Sequence, residues 1–248
     1  MWFAPYGTAI VVFRRPAGLH IVKLGRDGQE IFPNFSSAAS KFEVTLRNSA
    51  FTLRSQTAGS YLATDASGRE YSATVAEPQT FSIHDPWELN FPSGWGTPPE
   101  VRLDKLQSWT EMSDDGIRHF SGTAAYSTNF QLPQLQAGAR VILNLGAVRE
   151  TAQVTVNGRE IGIVWKLPYS RDITSAAVAG NNTLVIKVTN LWPNRIIGDQ
   201  SLPASQRFTH TNITRYTADS PLIPSGLLGP VQLEITTQVQ MRASPRPR

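Results

Sequence analysis

Residues 145–190, LGAVRETAQVTVNGREIGIVWKLPYSRDITSAAVAGNNTLVIKVTN, decide the fold of this 248-residue chain. Val154 and Val156 alternate with polar residues, and so do Leu184, Ile186 and Val188. Successive side chains of a strand point to opposite faces, so each of these runs buries one face only. Asn157-Gly158 separates two such runs. A type I′ hairpin turn needs two residues that tolerate positive φ, and Asn-Gly supplies both. A second turn is expected at Gly180-Asn181-Asn182, and Trp165 is expected at the surface between the two. An antiparallel sheet with one buried face is half of a β-sandwich.

Working outward, HFSGTAAYSTNFQL (119–132) reads as a long strand with Phe120, Gly122, Ala124, Tyr126, Thr128 and Phe130 on one face. With RVILNLG, QVTVNG, TLVIKVTN and PVQLEITT, and with PWELNF ahead of them, it gives about eight strands, the number of a jelly roll. Trp109 and Tyr126 are expected in its core. Towards the N-terminus, KFEVTLRN, AFTLRS, SYLAT and REYSATV form a meander, with Asp65-Ala66-Ser67-Gly68 as a turn. The meander packs as a small sandwich of its own or is the remainder of one whose partner strands lie upstream. TAIVVFRR (8–15) is a further strand pattern.

The predicted fold class is therefore all-β, a jelly-roll β-sandwich preceded by a smaller antiparallel β unit. The expected division is 1–82 for the small unit, 83–240 for the sandwich and 241–248 for a disordered tail, with the boundary near His84-Asp85-Pro86. Composition agrees: 18 Gly and 17 Pro punctuate the chain, and no long stretch keeps helical spacing of apolar residues without interruption.

Charge and special residues narrow the function. The net charge of +4 is scattered rather than gathered into a basic face, which argues against a nucleic-acid partner. With no cysteine, neither disulfides nor thiolate metal sites can form. The N-terminus lacks the basic region and small-residue cleavage site of a signal peptide. No apolar run approaches the roughly 20 residues that span a bilayer, so no membrane partner is expected.

One stretch breaks the strand pattern. Residues 192–229, WPNRIIGDQSLPASQRFTHTNITRYTADSPLIPSGLLG, are far longer than an ordinary connection. They carry too many aromatic and apolar residues for an unstructured linker. The segment is expected to be an ordered loop that binds sugar or clamps a neighbouring domain.

Read together, VNGREIGIVWKLPYSRDIT and GNNTLVIKVTN resemble the sugar-binding-type sandwich of glycoside hydrolase family 2, a galactose-binding-like fold. NLWPNRIIGDQSLP and SPLIPSGLLGPVQLEI are similar, more narrowly, to the C-terminal β region of glycoside hydrolase family 106, the α-L-rhamnosidases. HFSGTAAYSTNFQLP fits both, and the resemblance runs from about Trp2 to Ile235. It implies a carbohydrate-binding, accessory β region that binds or positions a plant-type, rhamnose-containing oligo- or polysaccharide beside an upstream catalytic barrel. A segment like APYG…VVFR follows the barrel in that family, so the chain is expected to be a fragment or a stand-alone copy of an accessory region. Its location would be periplasmic or secreted where the parent protein is exported.

Sugar recognition needs an aromatic platform for the C–H face and planar donors and acceptors for the hydroxyls. Trp165 with Tyr169, and Trp192 with Asn194, Arg195 and Asp199, have that mixture, and Arg207 and Tyr216 extend it along the long loop. The plainer reading places Tyr169 at a sandwich corner and pairs Arg195 with Asp199 to hold the loop. Catalysis would need two carboxylates flanking the scissile bond. Glu111, Asp114, Asp115, Glu150, Glu160, Asp172, Asp199 and Asp219 are available, but none has a recognisable catalytic setting, so no catalytic residue is assigned. Activity as an α-L-rhamnosidase and a purely structural role are the alternatives. His20, His84, His119 and His210 lack ligand spacing for zinc. Asp114, Asp115 and nearby carbonyls are a candidate Ca2+ site, beside their plainer reading as a turn.

Overall fold

The computed structural model describes residues 18–33, 42–84, 86–212 and 215–244. The TAIVVFRR pattern and the last four residues lie outside this range. The chain divides into two compact units. The first comprises residues 1–80, 136–140 and 234–248, and the second 81–135 and 141–233.

The first unit carries two antiparallel sheets. One has the order Gln29–Phe32, Ile21–Arg26, Gly59–Asp65, Glu70–Val75, Arg242–Ala243. The other has the order Val239–Gln240, Ala50–Ser55, Phe42–Arg47. Alternation along these strands delivers Leu24, Phe51, Leu53, Tyr61 and Tyr71 into one buried cluster. The C-terminal segment corrects the expectation of a tail from residue 241. Met241 is buried in that cluster, and Arg242–Ala243 pairs with Tyr71–Ser72. One apolar side chain and strand pairing at a sheet edge hold residues 241–243 in place.

The turn at Asp65 is built around its carboxylate. Oδ1 accepts from Ser67 N (2.8 Å), Ser67 Oγ (2.6 Å) and Arg69 N (3.0 Å), and Oδ2 accepts from the Tyr71 hydroxyl (2.9 Å). The Ser67 hydroxyl above all, helped by Tyr71 and the two amides, holds the Asp65 carboxyl down at about 2 against the opposing effect of burial.

In the second unit the long strand Thr123–Leu132 pairs antiparallel with Gly180–Thr189 over ten positions. They form the centre of a six-stranded sheet with the order Arg159–Val164, Thr151–Val156, Gly180–Thr189, Thr123–Leu132, Trp87–Asn90, Glu100–Leu103. A four-stranded sheet runs Ser170–Asp172, Arg140–Asn144, Gln232–Thr236, Gln79–Ser82. The fold is an all-β sandwich. Val154, Val156, Leu184, Ile186 and Val188 are all fully buried, as the alternation requires. Asn157 and Gly158 take φ of 50° and 75°, the left-handed values of a type I′ turn.

Gly180-Asn181-Asn182 is not a turn. Gly180 faces Leu132 and Asn182 faces Phe130, so the strand begins there. The chain reverses before it, and buried Asn182 ties that reversal down. Its Oδ1 accepts from Val178 N and Asn157 Nδ2, each at 2.8 Å, and its Nδ2 donates to the Val178 and Gly180 carbonyls. The Asn-rich signal does mark a bend, but the side chain makes it rather than the backbone at 180–182.

Trp109 and Tyr126 are core residues with no exposed surface. Their rings stack at 6.4 Å, and Trp109 Nε1 donates to Tyr126 Oη at 2.6 Å. The same oxygen accepts from Leu227 N at 3.0 Å. Gly226 beside it has φ +98°, and a β-carbon there would lie 2.6 Å from Tyr126 Oη. Only glycine fits this close approach.

Two outcomes test these interiors. Tyr126→Phe leaves the Trp109 indole and the Leu227 amide without an acceptor, and should cost about 3 kcal/mol in urea unfolding. A variant as stable as the parent would show that this oxygen is not needed. Asp65 has a folded value below the unfolded one of about 3.9, so its stabilisation is complete above that pH and lost as pH falls towards 2. Urea midpoints measured from pH 5 to pH 2 should fall less steeply in Asp65→Asn than in the parent; parallel curves would contradict the assignment.

Candidate functional site

The strand Gly180–Thr189 ends at Asn190, whose side chain fastens the start of the long loop. Asn190 Nδ2 donates to Phe120 O (2.8 Å) and Ser225 Oγ (3.1 Å), and its Oδ1 accepts from Gly122 N (2.9 Å). Ser121 Oγ donates to Leu191 O at 2.9 Å and accepts from Arg195 N at 3.1 Å. The loop therefore leaves the sheet at a fixed point.

It then forms a helix, Pro193–Gln200, where irregular structure is expected from the sequence. Eight residues are too few to display a helical period, and Gly198 inside it lowers helical propensity. Pro193 in the first turn suits a helix start, and Ile196 and Ile197 are buried. Gly198 is needed there because a β-carbon would lie 2.5 Å from Arg195 Nη2 and 2.7 Å from His119 Cβ.

The predicted cluster at this helix separates into two roles. Asn194, Arg195 and Asp199 are all buried. Asn194 Nδ2 donates to Ile223 O (2.7 Å) and Ser225 Oγ (2.9 Å), and its Oδ1 accepts from Ile223 N (2.8 Å). Arg195 Nε lies 3.1 Å from Asp199 Oδ1, but its N–H finds no directed acceptor, so the contact is a charge pair rather than a hydrogen bond. Burial lowers the proton affinity of the Arg195 guanidinium, and the charge of Asp199 opposes that. Asp199 also accepts from Phe208 N (3.2 Å), Thr209 N (2.8 Å) and Thr209 Oγ1 (2.6 Å). These three residues hold the loop from inside.

Trp192 stands apart from them, 57% exposed. Its ring lies 6.2 Å from that of Trp95, which stacks on Phe208 at 6.3 Å with an interplanar angle of 14°. The Arg195 guanidinium sits 4.6 Å over the other ring of this pair, Phe208. Trp192, Trp95 and Phe208 form an aromatic shelf, half open to solvent, set by segments distant in sequence. Trp95 and Phe208 were not among the expected site residues, and the FPSGWGTPPE loop carried no signal beyond its one Trp.

Beside the shelf lies a polar cleft of about 590 Å³, lined by Gln200, Arg207, Thr209, His210, Tyr216 and Thr217, with Asp199 in its wall. The expected Arg207 and Tyr216 thus come together, and His210 joins them without any ligand-like spacing in the sequence. Phe208 belongs to the shelf while Arg207 and Thr209 line the cleft. One short segment, fixed by Asp199, serves both.

The other predicted pair does not join this site. Tyr169 is buried, and its carbonyl accepts from Leu145 N at 2.8 Å. Trp165 is 60% exposed after the edge strand Arg159–Val164, with Lys166 Nζ 6.0 Å over its ring. Several of the carboxylates considered for catalysis have local duties. Asp114 caps the short helix Asp115–Arg118 by accepting from Ile117 N at 2.9 Å. Asp172 accepts from Thr174 N and Oγ1. Asp115 lies beside Arg118 and His119, and among the described residues no three acidic or histidine side chains are grouped as for a metal.

Among known proteins, the family model for glycosyl hydrolases family 2, sugar binding domain, matches residues 56–218, more than half of the chain. A protein of Formosa agariphila, whose name assigns it provisionally to the β-glucuronidases, is 33% identical over 231 residues, covering 83% of this chain and 20% of that protein. The solved rhamnosidase of Novosphingobium sp. PP1Y is 28% identical with a TM-score of 0.61, covering 82% of this chain and 24% of that one. The chain therefore spans about a fifth to a quarter of the length of these relatives.

Removing the carboxylate that fixes the loop should be costly. Asp199→Ala leaves Arg195 buried without its partner, and a loss of about 3–5 kcal/mol is expected in urea unfolding. Amide hydrogen exchange at Phe208 and Thr209 should accelerate in the same variant. Unchanged protection at those two amides would show that Asp199 does not anchor the segment.

Proposed function

Because the chain belongs to the family of glycosyl hydrolases family 2 sugar-binding domains, we propose that it is the non-catalytic, carbohydrate-binding region of a larger glycoside hydrolase. The long loop of its second unit is the binding face. One observation carries this choice: an exposed aromatic shelf and a cleft of hydroxyls, a guanidinium and an imidazole adjoin along residues 207–210. A sugar presents an apolar C–H face and a hydroxyl edge, and this pairing answers both.

The proposed ligand is a rhamnose-containing oligo- or polysaccharide of plant type. The likeness to the Novosphingobium rhamnosidase over most of the chain supports it. So does chemistry, since the methyl group of a 6-deoxy sugar gains by burial against the rings of Trp192 and Phe208. Catalysis is assigned to the remainder of the parent enzyme, because Asp114, Asp172 and Asp199 are already engaged in caps and an ion pair.

A second reading has one observation in its favour. Ile163, Trp165 and Leu167 are all exposed in and just after an edge strand, a patch suited to packing against another domain. The two readings assign the two exposed tryptophans different duties.

Calorimetric titration with rhamnose-containing pectic oligosaccharides separates them. Trp192→Ala should weaken saturable binding by about 1–3 kcal/mol, as loss of an aromatic anchor does, while Trp165→Ala leaves it unchanged. The opposite pattern would move the site to the edge patch. Sustained heat in place of saturation would mean turnover and contradict a non-catalytic role.

A further inference from the structure

We infer that the cleft beside the aromatic shelf selects glycans bearing a negative charge, as a carboxylate or a sulfate ester, with Arg207 as the residue that reads it. This rests on the reading of the long loop as a carbohydrate-binding face and adds a ligand class to it.

The cleft's hydrogen-bonding groups are unequally engaged. Arg207 Nε donates to Leu202 O at 3.1 Å, which fixes the plane of the guanidinium. Its two terminal nitrogens, the His210 ring and the Tyr216 hydroxyl have no hydrogen-bond partner among the described residues. They line one cleft and leave it rich in unspent donors. A guanidinium whose Nε is already fixed offers its terminal N–H groups as a planar fork, the geometry that grips two oxygens of a carboxylate or sulfate.

The carboxylate of the lining, by contrast, is already engaged. Asp199 is the one carboxylate in the lining among the described residues. It is buried, paired with Arg195 at 3.1 Å, and accepts from Phe208 N, Thr209 N and Thr209 Oγ1. Its charge is answered within the protein and does not cancel that of Arg207. Outside the lining, the Arg215 guanidinium lies 6.0 Å from the ring centroid of Tyr216. A neutral sugar would use the hydroxyls of Thr209, Thr217 and Tyr216 but leave the guanidinium fork unmatched. An anionic sugar uses both, while a neighbouring ring of the same chain rests its C–H face on Trp192 and Phe208.

The test compares three oligosaccharides of equal length, one neutral, one containing uronate and one sulfated, titrated into the full chain at low and raised salt. At least one charged ligand should bind roughly tenfold tighter than the neutral one at low salt, with the gap narrowing as salt screens it. Comparing the uronate and sulfate arms identifies which anion the fork accepts. Arg207→Gln should abolish the preference for the charged ligand, and Arg207→Lys should keep part of it. His210→Gln, read the same way, covers the case in which the Arg207 variants fail to fold. Equal affinity for neutral and charged ligands would overturn charge selection yet leave the sugar-binding face standing. No binding of any of the three would overturn that face itself, and this inference with it.

Discussion

The ten-position pairing of Thr123–Leu132 with Gly180–Thr189 is the constraint on which the second unit depends. It places Tyr126 opposite Ile186 and buries both, so the core gains its Trp109–Tyr126 pair. It also brings Phe120 to Gly122 alongside Asn190, at the end of the strand. From there three side chains, those of Ser121, Asn190 and Asn194, satisfy the backbone groups that a departing chain would leave open. A slip of one residue in this ladder would turn every buried side chain outward and separate those partners.

The long loop is stable because its polar interior is answered from within. Asp199 takes three hydrogen bonds and one cation, and Asn194 uses both ends of its amide. Buried charges of this kind add little net stability, but the conformation that keeps them paired is favoured over any that leaves one buried alone. Here that conformation holds Phe208 under Arg195 and against Trp95. Asn194, Arg195 and Asp199 therefore serve as the loop's foundation, and Trp192, Arg207, His210 and Tyr216 stand nearer its surface.

Much of this was legible from residues alone. Val154, Val156, Leu184, Ile186 and Val188 declared their buried face by alternation, and Asn157-Gly158 declared its hairpin. The length and composition of residues 192–229 marked an ordered segment. Other features depend on tertiary context. Pro193–Gln200 is too short for its period to be read. Trp95 and Phe208 meet across more than a hundred residues, so neither predicts the other. Asn194, Arg195 and Asp199 are the right chemical types for a sugar site, and only their burial reveals that they bind the loop. The strand at Arg242–Ala243 depends on an edge that no local pattern announces.

The central claim is that the face built on the Arg195–Asp199 pair is where carbohydrate binds. An amide and indole NMR titration of the whole chain with rhamnose-containing oligosaccharide tests it residue by residue. The account predicts shifts at the indole signals of Trp192 and Trp95 and at the amides of residues 207–210, with the Trp165 indole unmoved. Shifts centred on Trp165 and the edge strand, with residues 207–210 silent, would contradict it.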